Sequence, residues 1–197
     1  MGAVLDTLPE ALREPVEHWL ERFGDTTNVD ALARIVACSE FAAGVALREK
    51  EWLLENVTSF EQAPDPEQLE IFVADVASAD ADVAAVKSRF RRFRNRYMLH
   101  VLWREVFAQA NLDETLHSLS LLADRLLDAA SQYSSSTLAP RYGNLRTAEG
   151  GPVPPVILGM GKLGGYELNF SSDVDLIFLY PEAGETDGAR RISAQEY

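Results

Sequence analysis

The chain has 197 residues, a formal net charge of −13, 47% hydrophobic residues and one cysteine. That hydrophobic share supports a buried core and argues against disorder, and the acidic balance leaves no footprint for general nucleic-acid binding. A lone Cys38 excludes an internal disulfide, and no run approaches the roughly 18 apolar residues of a membrane span, so the expectation is a soluble, cytoplasmic chain with no membrane partner.

In chain order, residues 1–143 read as a helical region. Pro15 is placed in the first turn of a helix carrying Val16, Trp19, Leu20 and Phe23 and stopped by Gly24. Asn28 caps a second helix, with Val29, Leu32, Ile35, Val36 and Cys38 on an apolar face where Cys38 is expected in the core. Gly44 marks a break or bend before a helix bearing Leu47, Trp52, Leu53 and Val57. Residues 59–66, with Pro64 and Pro66, read as a loop. Leu69, Phe72, Val73 and Val76 then repeat at helical spacing. One long helix is predicted over 82–110, burying Val83, Val86, Phe90, Phe93, Tyr97, Val101 and Trp103. Asp113 caps a last helix through Leu116, Leu119, Leu122, Leu126 and Ala130 towards Tyr133. Residues 144–155, rich in glycine and proline, form a linker to the segment 156–197.

Lys87, Arg89, Arg91, Arg92, Arg94, Arg96 and Arg104 share a window with no acidic residue. They read either as a solvated helix face drawn to the acidic body of the same chain, or as a face near a phosphate site or an acidic partner. His18, His100 and His117 lack the mutual spacing and the Cys or Asp company that zinc needs, and read as ordinary, partly buried histidines.

The chemistry concentrates in 156–180. A short apolar run, a glycine-rich middle and a second apolar run, Leu176 to Leu179, read as strand, loop with at most one helical turn, and strand. Asp173 and Asp175 are placed at the start of the second strand. Side chains at i and i+2 there share a face, with Cα atoms roughly 6.5–7 Å apart. Two carboxylates so placed call for a divalent cation, which can also hold nucleotide phosphates. Asp80 and Asp82 repeat the Asp-x-Asp pattern but lie in an acidic, alanine-rich stretch that reads as surface.

Three readings of this segment compete. Gly159, Gly161 and Gly164 match the dinucleotide pattern G-x-G-x-x-G, but that motif needs a crossover helix, and a whole crossover takes about 10–12 residues or more. Only eight residues separate Gly164 from Asp173. A P-loop fails because Leu163 stands where Ser or Thr should follow the lysine. The third reading is a nucleotidyltransferase site, with backbone N–H groups at Gly164 and Gly165 approaching phosphate and Asp173 and Asp175 holding metal. Its bland rival is a polar strand start after a turn. Lys162 either reaches a phosphate or is an exposed loop lysine. Ser171 and Ser172 have no histidine pattern for nucleophilic catalysis, so turn formation or phosphate contact is expected. Glu167 is expected to fix the loop by hydrogen bonding, and Tyr166 to serve packing alone.

The run from Gly159 to Phe178, Gly-Met-Gly-Lys-Leu-Gly-Gly-Tyr-Glu-Leu-Asn-Phe-Ser-Ser-Asp-Val-Asp-Leu-Ile-Phe, resembles the signature of the bifunctional glutamine synthetase adenylyltransferase/adenylyl-removing enzymes. Phe90 to Glu105 resembles that family's helical region less tightly. The resemblance implies an α+β fold, an N-terminal helical region followed by the start of a nucleotidyltransferase-type (polymerase-beta-like) mixed sheet. It further implies the adenylyl-removing half, in which inorganic phosphate attacks the adenylyl group on a tyrosine of glutamine synthetase and releases ADP. The other half adenylylates that tyrosine from ATP. Asp173 and Asp175 would then bind Mg2+, with Gly164, Gly165, Ser172 and Lys162 about the phosphates. Control by the PII signal protein and by glutamine is implied as well.

The family sheet also draws a third carboxylate from a later strand. The chain is therefore expected to be a truncated N-terminal fragment, catalytically silent by itself. The alternative is a helical protein-interaction module carrying a non-catalytic remnant of the site.

Overall fold

The computed structural model describes residues 3–77, 82–147, 149–153, 155–180 and 183–197. Of the residues singled out above, Asp80 lies outside them. The protein is mostly helical with a small antiparallel β portion, so the α+β class holds. Two compact units are present: Met1–Pro64 with Arg91–Thr115, and Asp65–Phe90 with Leu116–Tyr197.

In the first unit a 3-10 turn, Leu5–Thr7, leads into α1 (Glu10–Phe23), α2 (Val29–Cys38), α3 (Glu40–Arg48) and α4 (Lys50–Asn56), followed by a second 3-10 turn, Val57–Glu61. Helix α1 starts at Glu10, five residues before the expected proline, and Pro15 sits inside it. Gly24 does end it, with φ at +83°. The break expected at Gly44 lies instead at Ser39, whose extended backbone (φ −155°) separates α2 from α3. The Ser39 hydroxyl accepts the Ala42 N–H at 3.2 Å, an N-cap; Gly44 is interior to α3. Because the chain leaves α2 at Ser39, Cys38 is exposed rather than core.

The core of this unit joins Trp19, Phe23, Leu32, Ile35, Val45, Leu53, Phe60, Leu99 and Trp103. Phe23 stacks on Trp19 at 5.1 Å, and the Trp19 indole N–H donates to the Ala43 carbonyl at 3.1 Å. Leu99 and Trp103 come from α6 (Val83–Val106), whose residues 91–106 belong here. Leu99, His100, Val101, Trp103 and Arg104 are all buried, so this end of α6 is enclosed rather than one-sided, and a single apolar stripe understates it. Helix α6 stops at Val106, short of Ala110, because Ala108 adopts φ +52° and the Gln109 N–H folds back to the Arg104 carbonyl.

The second unit begins with α5 (Glu67–Ala77), where Leu69, Phe72, Val73 and Val76 are buried at the spacing the sequence predicts. Phe72 meets Phe90 of α6 edge-on at 5.2 Å. Asp82 accepts the Ala85 N–H and caps α6. Helix α7 (Leu112–Tyr142) runs nine residues past Tyr133. Its cap is Asn111, which accepts the Glu114 N–H at 2.8 Å, not Asp113.

Four short strands follow: β1 (Leu145–Arg146), β2 (Val156–Gly159), β3 (Leu176–Leu179) and β4 (Glu185–Thr186). They make two separate antiparallel pairs, β1 with β4 and β2 with β3. The mixed sheet expected from the resemblance is thus not what the described residues form. Tyr142–Asn144 and Asp187–Gly188 cross backbone to backbone. The Gly188 N–H donates to Tyr142 O at 2.8 Å and the Asp187 N–H to Asn144 O at 3.0 Å. A Cβ on Gly143, whose φ is +77°, would lie 2.2 Å from the Gly188 nitrogen, so only glycine permits the crossing. Asp187 closes it, accepting from the Asn144 N–H and the Arg146 guanidinium, each at 2.7 Å. These bonds, the Arg146 one foremost, hold its carboxyl below the usual range.

Candidate active site

The glycine-rich loop is shaped by close packing. After β2, extended Met160 leads into a single helical turn, α8 (Gly161–Gly164), and Gly161 has φ +55°. A Cβ on Gly164 would stand 2.5 Å from the Gly159 carbonyl oxygen, so glycine is what lets α8 close on β2. Gly165 is ordinary, with φ −86° and 3.6 Å of room. The Gly164 N–H donates to Met160 O and the Gly165 N–H to Gly161 O. Their N–H groups, expected to face phosphate, are therefore committed to the turn, and what they offer a ligand is the absence of side chains. Lys162 is exposed, and among the described residues no hydrogen bond or ion pair reaches its ammonium.

Past α8 the loop rests on α7. Tyr166, read from sequence as mere packing, takes φ +57°, a conformation that costs a non-glycine residue about 1–2 kcal/mol. Its hydroxyl donates to the Asp124 carboxylate, and its ring lies 5.5 Å from that of His117. That hydrogen bond, more than burial, raises the Tyr166 pKa. Two residues on, the Leu168 N–H donates to the buried Ser120 hydroxyl at 3.1 Å. Among the described residues Glu167 makes its one hydrogen bond through its backbone N–H, to Lys162 O at 2.7 Å.

Asn169 then organises a tight turn. Its side-chain oxygen accepts from the Ser172 hydroxyl at 2.6 Å and from the Ser171 N–H at 3.3 Å. Ser172 is thus a turn residue here. Asp173 and Asp175 follow as lead-in to β3, which starts at Leu176 and not at Asp173. The Asp175 carbonyl accepts the Met160 N–H at 2.9 Å, extending the β2–β3 ladder by one bond and bringing the carboxylate segment beside the start of α8.

The antiparallel pairing of β2 with β3 across a four-residue helix removes the dinucleotide alternative, which needs parallel strands. Both carboxylates are exposed, and among the described residues neither meets a hydrogen-bond donor or a cation. Two hard, unpartnered oxygen donors fit magnesium, which takes one or two carboxylates and fills its other positions with water and phosphate. No group of three His, Cys, Asp or Glu side chains is gathered for a metal among the described residues.

The cationic window resolves largely into internal pairs. In the first unit Arg96 clamps Glu49 through Nε (2.7 Å) and Nη2 and lies 4.9 Å over Trp52, while Arg92 stands 3.5 Å from the same carboxylate. Arg104 is 6% exposed, holds Glu114 at 2.7 Å, and donates to the carbonyls of Glu61 and Gln109. It is a buried structural arginine. In the second unit Arg89 pairs with Asp75. Buried His100 stacks on Phe60 at 4.2 Å and bonds Gln62 O at 2.9 Å through Nε2; His18 lies 3.8 Å from Glu21.

The sequence profile of the family described as Glutamate-ammonia ligase adenylyltransferase matches residues 29–197. The chain belongs to this family. The adenylyltransferase resemblance seen in residues 159–178 therefore holds. Among similar curated proteins is the bifunctional glutamine synthetase adenylyltransferase/adenylyl-removing enzyme of Thioalkalivibrio sulfidiphilus (strain HL-EbGR7). It is 42% identical over 204 residues, covering 98% of this chain and 21% of that protein. Proteins of the same description from Shewanella loihica (strain ATCC BAA-1088 / PV-4) and Shewanella frigidimarina (strain NCIMB 400) are 42% and 39% identical. They cover 81% and 84% of this chain, and 17% of each relative. The chain thus spans about one fifth of the length of these adenylyltransferases. No helix among the described residues is long and apolar enough to cross a membrane.

Proposed function

We propose that the chain is the N-terminal part of the adenylyl-removing half of a bifunctional nucleotidyltransferase acting on adenylylated glutamine synthetase. The observation that carries this reading is the pair of unpartnered carboxylates, Asp173 and Asp175, beside a glycine loop fastened to α7. That the relatives are glutamine synthetase adenylyltransferase/adenylyl-removing enzymes supports the choice of substrate.

In the reaction so assigned, an oxygen of inorganic phosphate bonds to the adenylyl phosphorus. The bond from that phosphorus to the tyrosyl oxygen breaks, the tyrosyl oxygen takes up a proton released by the phosphate, and ADP departs. Asp173 and Asp175 would hold Mg2+, which when bound neutralises phosphate charge. Gly164 and Gly165 leave the approach open, Lys162 supplies a mobile cation, and the Ser172 hydroxyl exchanges Asn169 for a phosphate oxygen. ATP or ADP, phosphate and the PII protein are the partners in this reading, and the cytoplasm its setting.

The test is a full-length protein carrying this segment, incubated with adenylylated glutamine synthetase. ADP release that requires both phosphate and magnesium is expected. Release of AMP without phosphate, or no release, would sink the assignment.

A further inference from the structure

The loop bearing Lys162, Gly164 and Gly165 is fastened to α7 by residues outside the proposed site. The Tyr166 hydroxyl donates to Asp124, the Leu168 N–H donates to fully buried Ser120, and the Tyr166 ring lies against His117. Positions 117, 120 and 124 are three and four apart, so they form one stripe of α7. Tyr166 is also one of two non-glycine residues with positive φ among those described. Strain of this kind persists only where the surroundings enforce it, and it gathers at ligand clamps and switch points. Here the enforcing contacts are those to Asp124, Ser120 and His117. If the Asp124 contact were released, Tyr166 could return to negative φ, and the chain between α8 and the Asn169 turn would change direction.

We infer that Asp124 and Tyr166, with Ser120, form a latch by which helix α7 sets the phosphate-binding arrangement of the 161–172 loop. Asp124 and Tyr166 are then positioning residues. The inference rests on the transferase reading for what the loop binds. It gives α7 a role beyond scaffold, because any movement of this stripe would reach the loop through two hydrogen bonds. A latch raises the population of the binding-competent loop, and apparent affinity scales with that population. Bound ligand restores the arrangement, so turnover at saturation survives the loss of the latch.

Two readouts test this in a full-length protein carrying the segment: tryptic cleavage after Lys162, and steady-state kinetics with inorganic phosphate varied. Tyr166→Phe and Asp124→Ala should each speed the cleavage and raise the KM for phosphate at least about tenfold, the loss expected for one hydrogen bond to a charged group. The kcat should stay within about twofold and the thermal midpoint should hold. The double variant should be no worse than either single one, since both remove the same bond. Faster cleavage with an unchanged KM would overturn the positioning role. Unchanged cleavage in both variants would overturn the latch itself. A wild-type protein whose Lys162 gains no protection from ADP with magnesium would overturn the transferase reading instead, and the cleavage comparison would still decide the latch.

Discussion

Arg104 and Glu114 face each other across the turn joining α6 to α7, with Arg104 Nε 2.7 Å from a Glu114 carboxylate oxygen. The arginine also donates to the carbonyls of Glu61 and Gln109, so one buried guanidinium ties together the end of a 3-10 turn, the close of α6 and the first turn of α7. Arg104→Met leaves Glu114 and these carbonyls without their donor. The expected loss is about 2–4 kcal/mol in urea unfolding. Arg104→Lys should recover less than half of it, because an ammonium cannot reproduce the planar fork. A loss below about 1 kcal/mol in Arg104→Met would show the network to be dispensable.

His100 gives this unit a pH dependence of definite sign. Burial, the largest influence, lowers its pKa from the ordinary 6.5; the bond to Gln62 opposes that, Arg104 adds to it and Glu114 opposes it. The unfolded chain therefore takes up a proton that the folded chain resists. Stability is full above pH 6.5 and declines as pH falls from there towards the folded value. Thermal midpoints between pH 7.5 and 5 should fall more steeply in the wild type than in His100→Asn, whose stability is lower throughout. Parallel profiles would remove His100 as the cause.

The two neighbouring loop glycines should respond differently to one methyl group. Gly164→Ala drives a Cβ against the Gly159 carbonyl and should cost about 1–3 kcal/mol. Gly165→Ala, with ordinary clearance and ordinary φ, should leave the melting temperature within about 1 °C while weakening phosphate binding. Equal thermal losses in both would contradict the geometry of α8.

Asp175→Asn keeps the carbonyl that bonds Met160 and nearly the same shape, but removes a charge. In a full-length protein it should cut magnesium-dependent ADP release by at least about 10³-fold with thermal unfolding unchanged. Retained turnover would take this residue out of the mechanism.

Strand β3 and the residue after it show a broad apolar surface: Phe178 is 67% exposed, and Ile177, Leu179 and Tyr180 are also exposed. Such a strand edge invites pairing between chains. The 197-residue chain should self-associate at high concentration, and Phe178→Lys should reduce that in sedimentation measurements. A wild-type chain that stays monomeric at millimolar concentration would defeat this expectation.

What the sequence disclosed follows from the range of the forces involved. The α5 core was legible because Leu69, Phe72, Val73 and Val76 obey one local period, and the β2–loop–β3 unit because its apolar runs bracket a glycine cluster. Gly44 misled because a helix tolerates an isolated glycine at a cost near 1 kcal/mol. The Ser39 cap does carry a local signal, a serine opening an alanine-rich turn. Arg104 could not be told from its solvated neighbours, since its partners lie up to 44 residues away. Asp124 and Ser120 were hidden for the same reason: polar residues on a long helix are a weak mark until the loop that meets them is in place.

The backbone crossing at Gly143 and Gly188 bears on how this family could vary. Every proposed ligand-binding residue lies between two points of the chain held side by side. A segment with joined ends behaves as a cassette. Lengthening it raises the entropy of closure only as the logarithm of its length, and α7 need not shift to accommodate a longer or shorter version. Substitution of either glycine would open the seam. Exchange of the material between them would leave the seam intact, so new chemistry could be tried inside one fixed frame.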